Sequence, residues 1–172
     1  MIALIVGGFY LGKHMGAFST QTHIGFLPPG VPLGAQTAIT QTGEKQQMSG
    51  AAVYNSKCSS CHQANGQGMP GAFPPLVDSP YVVDDPAIPV RIVLRGMQGP
   101  IEVKGVQYNG MMPAWADLLS DEEIAAVVSY IRSELGGNSA EPVDTAFVAQ
   151  QRQETADHPT PWTAEELMGG RQ

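Results

Sequence analysis

The pentapeptide Cys58-Ser59-Ser60-Cys61-His62 constrains this chain more than any other stretch. It holds the only two cysteines among 172 residues, spaced too closely for an ordinary structural disulfide framework, so the thiols serve chemistry rather than bracing. In the C-x-x-C-H pattern two thiols attach to the vinyl groups of a porphyrin and the adjacent histidine ligates its iron. A zinc site would need further soft ligands, and His14, His23 and His158 have no paired metal spacing. A thioredoxin-like redox pair would sit in an alternating strand and helix pattern, and no such pattern surrounds these residues. The motif therefore calls for one covalent haem c, with Cys58 and Cys61 as attachment points and His62 on the iron.

The chain around the motif reads as helices separated by irregular stretches, as 20 glycines and 14 prolines require. A helix is expected from Ser49 as N-cap to Lys57, with Gly50, Val53, Tyr54 and Lys57 on one face. Gln63 to Ser79 is punctuated by glycine and proline and reads as a loop. Asp85 as N-cap and Pro86 at the first helical position open a further helix that Gly96 ends. Ser120 and Glu123 form a capping-box pattern ahead of Ile124, Val127, Val128 and Ile131, and Gly136 and Gly137 stop that helix. The reading is all-α, with three parts: residues 1–47 as an apolar arm, 48–137 as the haem domain, and 138–172 as an acidic extension.

The arm carries Lys13 as its only charged side chain between Ile2 and Gly43. Its apolar start is shorter than the roughly 17–25 residues of a membrane-spanning helix, and it lacks the basic flank and cleavage site of a secretory signal. An incomplete membrane anchor, a signal peptide, a partner-bound arm and a disordered leader all stay open. The extension sets Arg152 and Arg171 against Glu141, Asp144, Glu154, Asp157, Glu165 and Glu166. Thr163 and Glu166 repeat the capping-box pattern there, with Trp162 placed to staple onto Leu167. Packing on its own core and folding on a partner are equal readings of this tail. The net charge of -7 excludes nucleic acid as a partner, because phosphates demand a basic surface, and it favours a basic docking protein.

Four methionines downstream of the motif compete for the second axial position on the iron: Met69, Met97, Met111 and Met112. Met69 would have to cross from one haem face to the other in a short loop, and Met97 follows a helix too early. Met111 and Met112 come after the chain has wrapped the haem edge. Met112 is preferred because Pro113 restricts its predecessor to an extended conformation.

In these elements residues 49–136 resemble the class I cytochrome c family. The resemblance implies an all-α fold around one haem, with Gly50 and Tyr54 of the first helix meeting Val127 and Tyr130 of the last. It implies His62 and Met112 as the iron ligands and a proline carbonyl, at Pro74 or else Pro75, bonded to His62. Tyr108 and Trp115 shield the haem, bond a propionate, or serve as ordinary core aromatics. The stretch Gln107 to Trp115, the Phe73-Pro74-Pro75-Leu76 loop and Pro161-Trp162-Thr163 are similar to bacterial cytochromes attached to membrane respiratory complexes.

The function implied is single-electron transfer, with the chain as an electron carrier rather than an enzyme. Redox proteins of a membrane complex would be its partners, the periplasmic side of the bacterial inner membrane its place, and a terminal oxidase or reaction centre its acceptor. A soluble or tethered periplasmic shuttle, an electron-accepting subunit of a dehydrogenase complex, and an open-site haem sensor or enzyme are the alternatives. No cluster of general acids, bases or nucleophiles supports the last.

Overall fold

The computed structural model describes residues 49–169, so the expectations for the arm of residues 1–47 lie outside the described residues. Helix α1 (Gly50–Lys57) begins where Ser49 accepts a hydrogen bond from Ala52 N–H through its hydroxyl, and it leads into the short α2 (Ser59–His62). After a loop come α3 (Pro80–Val83) and α4 (Ala87–Arg95). Helix α4 starts one residue later than the sequence suggests, with Pro86 at the cap position, while Asp85 still accepts from Ala87 N–H at 2.9 Å. Gly96 ends α4 at φ 80°, a left-handed conformation in which a Cβ would also stand 2.5 Å from the Met112 carbonyl oxygen.

Helix α5 (Asp121–Ser133) has the full capping box, Ser120 accepting from Glu123 N–H and Glu123 accepting from Ser120 N–H. A 3₁₀ turn (Leu135–Gly137) follows, then α6 (Thr145–Glu154), capped by Asp144, and α7 (Ala164–Met168), whose capping box joins Thr163 and Glu166. Among the described residues no helix is long and apolar enough to cross a membrane.

The helical expectation needs one addition, an antiparallel hairpin of β1 (Met97–Val103) and β2 (Val106–Met112). Val103 pairs with Val106 across Lys104 and Gly105, both at positive φ (54° and 74°), which is the two-residue turn whose twist suits a hairpin. Ile101, Val103 and Tyr108 face inward between exposed Glu102, Gln107 and Asn109, the period-two pattern of a half-buried sheet. The turn sequence Lys-Gly is not the Asn-Gly or Asp-Gly that marks such turns most plainly.

Two apolar clusters result. One unites Val53 and Tyr54 of α1, Val90, Val93 and Leu94 of α4, Ile124, Val127 and Val128 of α5, and Val148 of α6. The other gathers Ile88 and Ile92 of α4, Met97, Ile101 and Tyr108 of the hairpin, and Ala164 of α7. Met112 packs against both.

The helices of the tail thus pack on the haem domain itself. Arg152 of α6 bonds Asp121 at 2.7 Å and the carbonyls of Ala116 and Leu119, while Arg91 of α4 bonds Gln151 at 2.7 Å. Trp162, expected as a staple, is engaged by the backbone of the hairpin and by the ring of His158.

Candidate haem site

The crossing of α1 and α5 sets the position of the motif. A Cβ on Gly50 would lie 2.1 Å from the Ala126 carbonyl oxygen and 2.7 Å from Tyr130 Cβ, so only glycine admits this approach. The contacts expected from Gly50 and Tyr54 toward Val127 and Tyr130 are met with Ala126 and Tyr130, the Tyr54 and Tyr130 rings standing 5.6 Å apart and tilted by 54°. Tyr54, fully buried, donates its hydroxyl to the Gln63 carbonyl at 2.6 Å, and that burial raises its pKa. Gln63 stands at φ 63°, so the bond holds a strained residue directly after His62.

The loop then returns to the histidine. Gly68 N–H donates to the His62 carbonyl at 2.9 Å, and Leu76 N–H donates to the Gly66 carbonyl at 2.8 Å. Pro74 is thereby delivered with its carbonyl oxygen 3.0 Å from His62 Nδ1, while Pro75 makes no such bond among the described residues. A carbonyl can only accept, so Nδ1 carries the proton and Nε2 keeps its lone pair for a metal. Burial lowers the His62 pKa, partly opposed by the Pro74 bond, and the ring stays neutral, as a ligand must be.

Cys58 and Cys61 are unpaired and half-buried. Burial, reinforced by the neighbouring Cys61, pushes the Cys58 thiol up to about 11. That is the opposite of the depressed value that a thiol–disulfide catalyst needs.

Cys58, Cys61, His62, Pro74, Tyr108, Met112 and Trp115, the seven residues expected from sequence, all line one cavity of about 300 Å³. Among the described residues, Lys57 is the only Asp, Glu, Lys or Arg on its wall. Met111 and Met112 also border it, but successive strand residues face opposite ways: Met111 is 72% exposed and Met112 is half-buried. Met69 is 47% exposed and is not on the wall. Tyr108 is buried in the second cluster, and Trp115 packs on the first, its backbone N–H donating to the Val93 carbonyl at 2.9 Å.

One wall residue was discounted on sequence grounds. Met97 is buried, lines the cavity and is the cross-strand partner of Met112. Only the hairpin register reveals that pairing.

Two thiols at porphyrin spacing, an imidazole with its outer nitrogen committed, a thioether and an apolar slot fit a covalent haem, and together with the fold they define a c-type cytochrome. Comparison with known proteins agrees. The sequence pattern of the cytochrome c family matches residues 47–134. The chain is 47% identical over 96 residues to cytochrome c-552 of Thermus thermophilus, covering 52% of this chain and 70% of that protein. It is 33% identical over 120 residues to the cytochrome c subunit of alcohol dehydrogenase (quinone) of Gluconobacter oxydans, covering 69% of this chain and 25% of that subunit. It is 29% identical over 130 residues to the gluconate 2-dehydrogenase cytochrome c subunit of Pantoea cypripedii, covering 70% of this chain and 29% of that subunit. The chain belongs to the cytochrome c family, with a class I fold. It is an electron carrier, not itself an enzyme, and its cofactor is covalently bound haem c with iron.

Proposed function

We propose that the chain transfers single electrons through one haem c with His62 and Met112 as axial ligands, as a subunit of a membrane-bound respiratory or photosynthetic complex. It works on the periplasmic side of the bacterial inner membrane and passes electrons toward a high-potential acceptor such as a terminal oxidase or reaction centre. The observation that carries the ligand assignment is the placement of Met112 in the same apolar cavity as the Pro74-bonded His62. Cys58, Cys61, His62 and Met112 would hold the haem, which would supply the one-electron chemistry, and ligation by a thioether would raise its potential. His62 is oriented, and its basicity tuned, by the Pro74 carbonyl. The apolar wall keeps water away, so little has to reorganise when charge changes.

A second reading, an electron-accepting subunit of a dehydrogenase complex, is supported by the relatives from Gluconobacter and Pantoea. It uses the same ligands with a different donor. Reduced-minus-oxidised spectra of native membrane and soluble fractions, with and without Met112→Ala, test the proposal. Expected is a low-spin covalent haem in the membrane fraction whose near-infrared methionine-to-iron band disappears in the variant. A soluble protein with a high-spin haem indifferent to Met112 overturns it. Co-purification of a dehydrogenase or of an oxidase with the native protein separates the two readings.

A further inference from the structure

One residue of the C-terminal tail is paired with the strand that borders the cavity beside Met112. Trp162 N–H donates to the Gly96 carbonyl at 3.0 Å, and Gln98 N–H donates to the Trp162 carbonyl at 2.8 Å. Trp162 therefore forms a parallel bridge with Met97, and Met97 is the cross-strand partner of Met112. The three residues stand side by side across one backbone layer.

That layer lies at the open end of the hairpin, away from the Lys104-Gly105 turn. A two-stranded hairpin is marginal by itself, and its open end is where it frays. Here a third backbone segment closes on that end. The Trp162 indole N–H is buried without an acceptor among the described residues, so no bond within them orients the ring. The ring is held by stacking on His158, with centroids 3.5 Å apart and planes at 28°, and the Arg91 guanidinium lies 6.0 Å from it. Just beyond, Ala164 is buried in the cluster that includes Met97 and Tyr108, and Leu167 and Met112 pack against that cluster.

We propose that the Trp162 segment is a strap that positions the Met112 thioether. By pairing with β1 it holds Met97, and through Met97 the last residue of β2, so that Met112 stays turned into the cavity across from His62. Trp162 and Met97 are positioning residues for the iron ligand, and the proposal rests on Met112 being that ligand. Coupling of this kind is reciprocal: what releases Met112 must also loosen Trp162.

Imidazole titration of the ferric holoprotein tests it. Trp162→Pro deletes the N–H that pairs with Gly96, and it should bind imidazole roughly tenfold more tightly than the unmodified protein, the scale of one backbone hydrogen bond. Its near-infrared methionine band should weaken while the covalent haem content is unchanged. An unaltered affinity overturns the proposal.

A second measurement needs no variant and stands even if Trp162→Pro does not fold. Saturating imidazole should speed amide exchange at Trp162 and Gln98 roughly tenfold and leave Val127 and Val128 of α5 as they were. Equal protection of Trp162 and Gln98 in both states refutes the strap. Met112→Ala locates the failure: if it binds imidazole no more tightly than the unmodified protein, the ligand assignment beneath the proposal has fallen. If it binds more tightly while Trp162→Pro does not, the strap alone has.

Discussion

Replacing Gly50 by alanine should strain the helix crossing on which the haem motif is mounted. The added Cβ would lie 2.1 Å from the Ala126 carbonyl oxygen, against 3.4 Å for ordinary contact, so α1 and α5 must part by about 1 Å. A backbone oxygen cannot rotate away as a flexible side chain would. Parting by that much forfeits roughly a quarter to a half of the dispersion energy across the gap, beside the fully buried Val53 and Tyr54. Overpacking of this kind costs about 1–3 kcal/mol, and a blocked backbone contact belongs at the upper end. Alanine recovers up to about 1 kcal/mol of helix propensity, less at the first helical position. The net expectation is about 2 kcal/mol of destabilisation, a fall in Tm of about 4–8 °C for a chain of this size. Guanidinium titration of the holoprotein, followed by far-ultraviolet circular dichroism, reads it as a lower midpoint with an unchanged slope. Ala52→Gly at an exposed position of the same helix is the control, losing only about 1 kcal/mol of propensity. If Gly50→Ala matches or exceeds the unmodified protein in stability, the crossing has slack and the argument fails.

Gly68→Ala acts on the imidazole rather than the crossing, because a Cβ there would stand 2.3 Å from the Phe73 carbonyl oxygen and 2.6 Å from that of Pro74. Displacing the Pro74 carbonyl weakens its bond to His62, makes the ring less basic, and should raise the reduction potential in a redox titration; an unchanged or lower potential contradicts this. Arg132→Met should cost about 2 kcal/mol in urea, since it strands the Val82 and Glu141 carbonyls that the buried guanidinium satisfies; a neutral result means water replaces it. Glu166 has its pKa lowered by bonds from the Thr163 N–H and hydroxyl. A carboxylate with a depressed folded value stabilises above its ordinary value and loses that contribution as pH falls through the folded one. The protection factor of the Leu167 amide, whose N–H bonds the Thr163 carbonyl, should therefore fall between pH 5 and pH 3 once the intrinsic pH dependence of exchange is divided out, and equal protection factors at both pH values would contradict the cap's role.

What could be read from the sequence was local. The thiol and imidazole spacing of Cys58 to His62 is covalent geometry, and the capping boxes at Ser120 and Thr163 are contacts between residues three apart, so both survive any tertiary arrangement. Preference for Met112 over Met111 rests on a neighbouring proline, and the strand's period of two separates the pair more firmly, but only once the strand is known. The hairpin was hidden because short runs such as Ile101 to Val103 fit either element and the Lys104-Gly105 turn is not the usual chemistry.

Whether the tail is an appendage was equally beyond local reading. Val148 and Ala164 complete clusters whose other members come from distant parts of the chain. By itself the sequence determined the cofactor and pointed to Cys58, Cys61 and His62 as its attachment motif, because that spacing is local to the chain. Only the tertiary structure decided that Trp162, Met97 and Met112 lie in one layer, because strand register and the return of the tail follow from burying surfaces far apart in sequence.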